Sequence, residues 1–382
     1  MASDGSQSRI FTPAPARTAF KVDIVVIGAG QAGLSSAYHL RRLGLTPDRD
    51  FMVLDRSARP GGAWQYRWPS LTLGTVNGIH DLPGMAFSEA FDTSGDDVQA
   101  ATAVPVYYEA YEKAFGLRVH RPVKVDRVTD RGERFRVETD GIAFAARALI
   151  NCTGTWDAPY IPDYRGRERF RGRQLHTHDY RTAEAFRGQH VVIVGGGISA
   201  VQLLDEISQV TSTTWVTRRE PDFRDGPFGP EEGRAAVAMV EARVRQGLSP
   251  LSVVSVTGQI WTPALRAAQA RGALNRRPMF SEVTEDGVRW DDGAFQRADV
   301  ILWCTGFRGV LDHLEPLGLR EPGCGIVMGG RLATQVVKQP RIHLVGYGPS
   351  ASTIGANRAG AAAASEIIAA LAEVDKAGAR PE

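Results

Sequence analysis

The sequence predicts an α/β chain built from two related modules, each a parallel-sheet strand that runs through a glycine turn into a helix. Three observations carry this. The apolar, β-branched run 22–27 enters Gly28-Ala29-Gly30-Gln31-Ala32-Gly33, and a second such run, 191–194, enters Gly195-Gly196-Gly197-Ile198-Ser199-Ala200. The third is an echo: segments 148–154 and 300–306 are both apolar and both end in Cys-Thr-Gly. A weak duplication spread over the chain says more than any one of its parts.

Each element follows from its pattern. Uninterrupted apolar runs suit parallel strands buried on both faces. After the first turn a helical period runs through Leu34, Ala37, Leu40 and Leu43, with Gly44 as its stop. The next strand, 51–54, ends at Asp55. In the second module the helix carries Val201, Leu203, Leu204 and Ile207, and the strand 213–217 ends at Arg218-Arg219. Helical patterning returns at 231–246 and 263–271, and the alanine-rich segment 356–374 predicts a long packed helix.

Strand, glycine turn, helix, then a strand ending in a charged residue is the context that dinucleotide binding requires, and a bare strand-turn-helix is the weaker alternative. Gly28 permits the tight turn, Gly30 lets a pyrophosphate approach the backbone, and Gly33 lets helix pack on strand. Helix N-terminal amides then face the phosphates. Asp55 is placed to accept hydrogen bonds from the adenosine ribose. In the second turn Gly195, Gly197 and Ala200 form the GxGxxA variant, and Arg218 and Arg219 stand where the first module has its acid. A carboxylate repels a ribose 2′-phosphate, whereas guanidinium groups bind it with charge-assisted hydrogen bonds. NADPH is therefore expected over NADH, against the alternative of two solvated surface arginines.

The 382 residues suffice for two domains with ordinary cores. Apolar residues are 43% and charged residues 23%, the balance of a globular protein. The net charge is +2 and the basic residues are scattered, which argues against nucleic acid or a membrane surface as main partner. No apolar run approaches the roughly 18 residues of a membrane span. Residues 1–20 read as a flexible tail without the apolar core of a signal peptide. Cys152, Cys304 and Cys324 are far apart with no CxxC, so a reduced cytoplasmic protein without a zinc or dithiol centre is expected.

Segment 170–181, Phe-Arg-Gly-Arg-Gln-Leu-His-Thr-His-Asp-Tyr-Arg, lies just ahead of the second turn. It resembles the FxGxxxHxxx(Y/F) fingerprint of the flavin-containing monooxygenases, and the whole chain from about 21 to 373 looks like their small bacterial type (class B flavoprotein monooxygenases). Gly61-Gly62-Ala63-Trp64, Leu82-Pro83-Gly84-Met85, the two Cys-Thr-Gly ends and Gly346-Tyr347-Gly348 follow in the family's order. Tyr180 and Arg181 stand where the Baeyer–Villiger branch carries Trp followed by Pro or Asp, which favours heteroatom oxidation.

The resemblance implies two Rossmann-like dinucleotide-binding domains, the FAD domain discontinuous (21–165 and 300–382) and the NADPH domain (166–299) inserted. It implies an NADPH- and O2-dependent enzyme that oxygenates small soft nucleophiles, sulfides or amines, through a C4a-hydroperoxyflavin. An oxidase or reductase that releases hydrogen peroxide or reduces a quinone or partner, and Baeyer–Villiger oxidation of ketones, are the alternatives. The cofactor-binding set is Gly28, Gly30, Gln31, Ala32, Gly33, Asp55, Arg56, Gly62, Ala63, Trp64, Trp68, Val123, Thr153 and Gly154 on the flavin side. To it belong His176, Gly195, Gly197, Ile198, Ser199, Ala200, Arg218, Arg219, Cys304, Thr305, Gly306 and Tyr347. The family's active-site Asn is assigned to Asn77, at a looser spacing from Met85 than the family's, with Thr75 as the alternative. Trp64 and Trp68 are open between flavin contact and core packing. His176 is implied to link the two domains rather than to move protons. The His176/His178 pair lacks further ligands for a metal. The substrate pocket is expected to draw on 222–290 and 73–85, and a homodimer is compatible with the sequence.

Overall fold

Ile24, Val25 and Val26 are consecutive and all fully buried, which requires a strand covered on both faces. The computed structural model describes residues 19–76, 78–91, 95, 97–226, 230–251 and 258–378. It opens with β1 (Ala19–Ile27), α1 (Gln31–Arg42) and β2 (Phe51–Leu54). Then come α2 (Phe87–Ala90), α3 (Ala100–Phe115), β3 (Val119–His120) and an antiparallel meander of β4 (Val125–Asp130), β5 (Phe135–Thr139) and β6 (Ala143–Asn151).

The second run begins with β7 (Arg173–His176), β8 (Val191–Val194), α4 (Ile198–Ser208) and β9 (Thr213–Thr217). A short parallel pair, β10 (Phe223–Arg224) and β11 (Gln259–Ile260), frames α5 (Pro230–Arg245). Helix α6 (Pro263–Ala270) leads to β12 (Arg276–Pro278), then to a small antiparallel sheet of β13 (Glu282–Val283), β14 (Gly287–Arg289) and β15 (Phe295–Arg297). The run closes with β16 (Val300–Trp303); β17 (Met328–Gly329), β18 (Gln335–Val336), β19 (Ile342–Leu344) and α7 (Thr353–Gly378) finish the chain.

The duplication seen in the sequence is a duplication of topology. In the first sheet five parallel strands run in the order β19-β6-β1-β2-β3; in the second, all parallel, the order is β7-β16-β8-β9-β12. In both, the glycine-turn strand lies between the strand ending in Cys-Thr-Gly and the strand ending in a charged residue. Both also insert an antiparallel excursion before that Cys-Thr-Gly strand.

One boundary changes. A first domain that resumes at residue 300 starts too early, because β16 is an inner strand of the second sheet, bonded to both β7 and β8. The chain rejoins the first sheet at β17 to β19. Helix α7 also runs beyond its expected ends, to Thr353–Gly378.

Helices α1, α3 and α7 cover one face of the first sheet through Leu34, Leu40, Val104, Tyr107, Ala363 and Ile367. Full burial of each Leu or Ile contributes about 1.5–3 kcal/mol. The alanines of α7 serve closeness rather than bulk: a Cβ on Gly360 would sit 2.9 Å from the Ser36 amide of α1. In the second sheet β8 alternates, with Val191 and Ile193 in one core and Val192 and Val194 in the other.

Candidate cofactor cleft and active site

Two of the three glycines in the first turn answer to the protein's own packing. Gly28 has φ +97°, and a Cβ on it would lie 2.6 Å from the Cys152 carbonyl oxygen; a Cβ on Gly33 would collide with the Gly28 carbonyl. Gly30 is different. Its φ is −80°, and a Cβ there would have only the Cα of Gly62, at 3.9 Å, for a neighbour. It opens on a cavity of about 360 Å3, within the range of small-molecule sites.

Most of the flavin-side residues expected from sequence meet around this cavity. Gly28, Gly30, Gln31 and Ala32 line it from the turn, Asp55 and Arg56 from the end of β2, and Gly62, Ala63 and Trp64 from the following loop. Val123, Thr153 and Gly154 complete them. Asp55 braces the turn: its Oδ2 accepts from the Ala29 amide at 2.6 Å and its Oδ1 from Ser57 at 2.8 Å. Tyr108 donates to Gln31 Oε1 at 2.7 Å, while Gln31 Nε2 donates to Asn357 at 2.9 Å, tying the start of α1 to α3 and α7.

Trp68 does not line the cavity. It is 2% exposed and packs edge-on against Tyr180, which settles its open alternative toward the core. Tyr347 is likewise buried in the core behind the cavity, with Gly346 and Ser350 on the lining. Asn77 lies outside the described residues. Thr75 is off the cavity, its hydroxyl engaged with Thr72 and its carbonyl accepting from Gln202 of α4.

The second turn repeats the geometry. Gly195 has φ +138°, and a Cβ on it would strike the Cys304 carbonyl, as Gly28 does at Cys152. Gly197 has no atom within 4 Å of where a Cβ would stand. Ala200 is fully buried in α4 against the sheet, beside Ile198 and Ser199 at the helix start. Trp215 Nε1 donates to the Gly195 carbonyl at 2.7 Å and Gln259 to that of Gly196 at 2.9 Å, holding the turn rigid. Arg218 and Arg219 are exposed at the end of β9 with no ion pair among the described residues. Arg276 of the neighbouring β12 donates to Thr217 at 2.7 Å.

Beyond the two Cys-Thr-Gly ends the chain crosses between the sheets twice, and the crossings are bonded together. Val310 donates to the Gly154 carbonyl at 3.0 Å, Tyr160 to Gly306 at 2.9 Å, and the Thr305 hydroxyl to Tyr160. His176, 1% exposed, is fixed here: its Nε2 lies 2.9 Å from the Gly306 carbonyl, and its Nδ1 accepts from the His178 amide at 3.0 Å. That pattern defines the neutral ring with its proton on Nε2, and burial lowers its pKa in agreement. Cys152 and Cys304 are buried, their thiols pushed up to about 12, and so are thiols at neutral pH.

Sequence reading missed several lining residues. Arg67 and Tyr66 follow the Gly61-Gly62 turn, Trp156 and Phe307 follow the two Cys-Thr-Gly ends, and His313 lies beneath. Trp156 stacks on Phe307 at 5.3 Å and near-parallel to Tyr66 at 6.3 Å. The available signal was the pair of aromatics placed just after each Cys-Thr-Gly. Among the described residues no group of three or more His, Cys, Asp or Glu could hold a metal.

The fold is an α/β one with two glycine-turn modules and a cleft at the first, and similarity gives the class, an oxidoreductase, and the family. The pyridine nucleotide-disulphide oxidoreductase family matches residues 25–230. A flavin-containing monooxygenase from Stenotrophomonas maltophilia is 37% identical, with a TM-score of 0.78, and the match covers 92% of this chain and 99% of that one. An uncharacterized oxidoreductase, CzcO, of Bacillus subtilis is 29% identical over 78% of this chain and 85% of its own length. An indole-3-pyruvate monooxygenase of Oryza sativa subsp. japonica is 27% identical over 74% of this chain and 76% of its own. The chain belongs to the pyridine nucleotide-disulphide oxidoreductase family and, within it, to the flavin-containing monooxygenases.

Proposed function

We propose that this protein is an NADPH- and O2-dependent monooxygenase that holds FAD at the first glycine turn and NADPH at the second, and oxygenates soft nucleophiles such as sulfides and amines. The observation that carries the reading is the matched pair of turns. Gly28 and Gly33 in the first turn and Gly195 in the second are demanded by internal packing, and Ala200 holds the second turn's last position, while the middle glycine, Gly30 or Gly197, faces space that a Cβ would fill. A backbone kept bare toward open space is what the close approach of a diphosphate requires.

When bound, FAD supplies hydride acceptance and oxygen activation. The chain's own part is binding, alignment and exclusion of water. Asp55 and Tyr108 set the turn and Gln31; the bonded crossings join the two modules, and His176 anchors the second crossing at Gly306. Trp156, Phe307 and Tyr66 make an apolar wall on the cleft, which favours oxygen transfer over peroxide release. The histidine and cysteine on the cavity, His313 and Cys152, are a buried neutral ring bonded to Asn151 and a thiol whose pKa burial pushes up to about 12. The FAD unit takes strands from both ends of the chain, and the NADPH unit lies between them. The proposed location is the cytoplasm; no described helix is long and apolar enough to cross a membrane.

The test is direct. Purified protein should carry FAD that NADPH bleaches without air; readmitting air with methyl phenyl sulfide should give sulfoxide in proportion to NADPH consumed. Stoichiometric hydrogen peroxide with the sulfide intact would place the protein among the oxidases instead.

A further inference from the structure

Three cations line the cavity, and two are neutralised. Arg56 is paired with Asp157, and Lys124 lies 2.8 Å from Asp126. The third, Arg67, makes no ion pair and no side-chain hydrogen bond among the described residues. Its Nε is shut off from solvent without a partner, and its guanidinium lies 4.5 Å above the Trp156 ring and 5.9 Å from that of Trp64. Burial lowers its pKa to about 10, so it remains charged at neutral pH. A partly desolvated charge with no counter-ion is costly unless a ligand supplies one.

The same cavity holds a second feature that calls for negative charge. Helix α1 begins at Gln31 behind Gly30 with no side-chain cap, so its first amides and the positive end of its dipole face the cleft. The turn itself, Gly28 to Gly33, contains no Lys or Arg. A dinucleotide's diphosphate carries two charges, and a helix end offsets about half of one.

We propose that Arg67 is an anion-binding residue that, with the N-terminus of α1, holds the diphosphate of the dinucleotide bound in this cleft. The aromatic rings beside it confine the fork, which lines the cavity and has no hydrogen-bond partner among the described residues. The inference rests on the reading above, that FAD occupies the first turn.

The experiment compares wild type, Arg67→Met and Arg67→Lys as purified holoenzymes, measuring the FAD dissociation constant by flavin fluorescence at low and high KCl. Circular dichroism and the unfolding midpoint report folding, and the Lys variant keeps the charge if the Met variant folds poorly. Arg67→Met should weaken FAD about 10- to 100-fold at low salt and flatten the salt dependence, with Arg67→Lys between. FAD affinity and salt dependence unchanged in folded Arg67→Met would overturn the proposal. So would retained FAD with a raised KM for NADPH alone, which would assign the charge to the other dinucleotide. Absence of flavin from wild type would defeat the FAD reading itself, a separate outcome from failure at Arg67.

Discussion

Arg218 and Arg219 carry the proposed preference for NADPH over NADH. They occupy the end of β9, as Asp55 occupies the end of β2, and both are exposed without ion pairs among the described residues. Asp55 is doubly bonded to backbone amides and is part of its turn; the arginines are uncommitted. Replacing both by Gln should raise the KM for NADPH about 10- to 100-fold, the worth of charge-assisted bonds to a phosphate, and that for NADH by less than about threefold. Steady-state kinetics with each nucleotide decide it; equal changes would contradict the 2′-phosphate assignment. Asp55 and the arginines were legible because each ends the strand that follows a glycine turn and its helix. Arg67 was not: its significance is the lack of a partner, which only packing reveals.

At the scale of elements, glycines of the two turns divide by what they meet. A Cβ on Gly33 collides with the Gly28 carbonyl, so α1 would have to lift from β1, whereas Gly197 has open space around it and an ordinary φ of −90°. Gly33→Ala should therefore destabilise the fold by about 3 kcal/mol in urea unfolding. Gly197→Ala should cost less than about 1 kcal/mol and still weaken nicotinamide dinucleotide binding in titration. A stable Gly33→Ala, or Gly197→Ala with full nucleotide affinity, would break the division.

Strands β2, β8 and β16, and the last four residues of β1, were legible because burial on both faces leaves uninterrupted apolar runs, and β9 by its β-branched and aromatic residues. Helix α3 was harder: Pro105 sits inside it, and its buried face is built from Tyr107, Tyr108 and Tyr111. The sheet to which β16 belongs was not legible, since strand pairing is long-range and a Cys-Thr-Gly end closes either module. The cavity wall from Trp156 and Phe307 depends on the two crossings meeting, which also joins residues distant in sequence.

For the whole molecule, two buried histidines set an acid limit. His313, bonded to Asn151 at 2.7 Å, and His343, bonded to Thr334 at 3.0 Å, are both pushed down to about 4 by burial. Their folded pKa lies below the unfolded value near 6.5, so the stability they lend is complete above pH 6.5 and lost as pH falls toward 4. The linkage is worth about 3 kcal/mol each. Urea midpoints should fall steeply between pH 6.5 and 4, and less steeply in His343→Leu; identical slopes would contradict the assignment.

The proposed monooxygenase function assigns the two glycine turns to the two dinucleotides and the bonded crossings and aromatic wall to their alignment and shielding. Turnover with NADPH, methyl phenyl sulfide and 18O2, followed by mass spectrometry of the product, tests this most directly. One 18O atom in each sulfoxide, at about one NADPH per product, is the predicted result. Unlabelled or absent sulfoxide, with the label recovered as hydrogen peroxide, would contradict it.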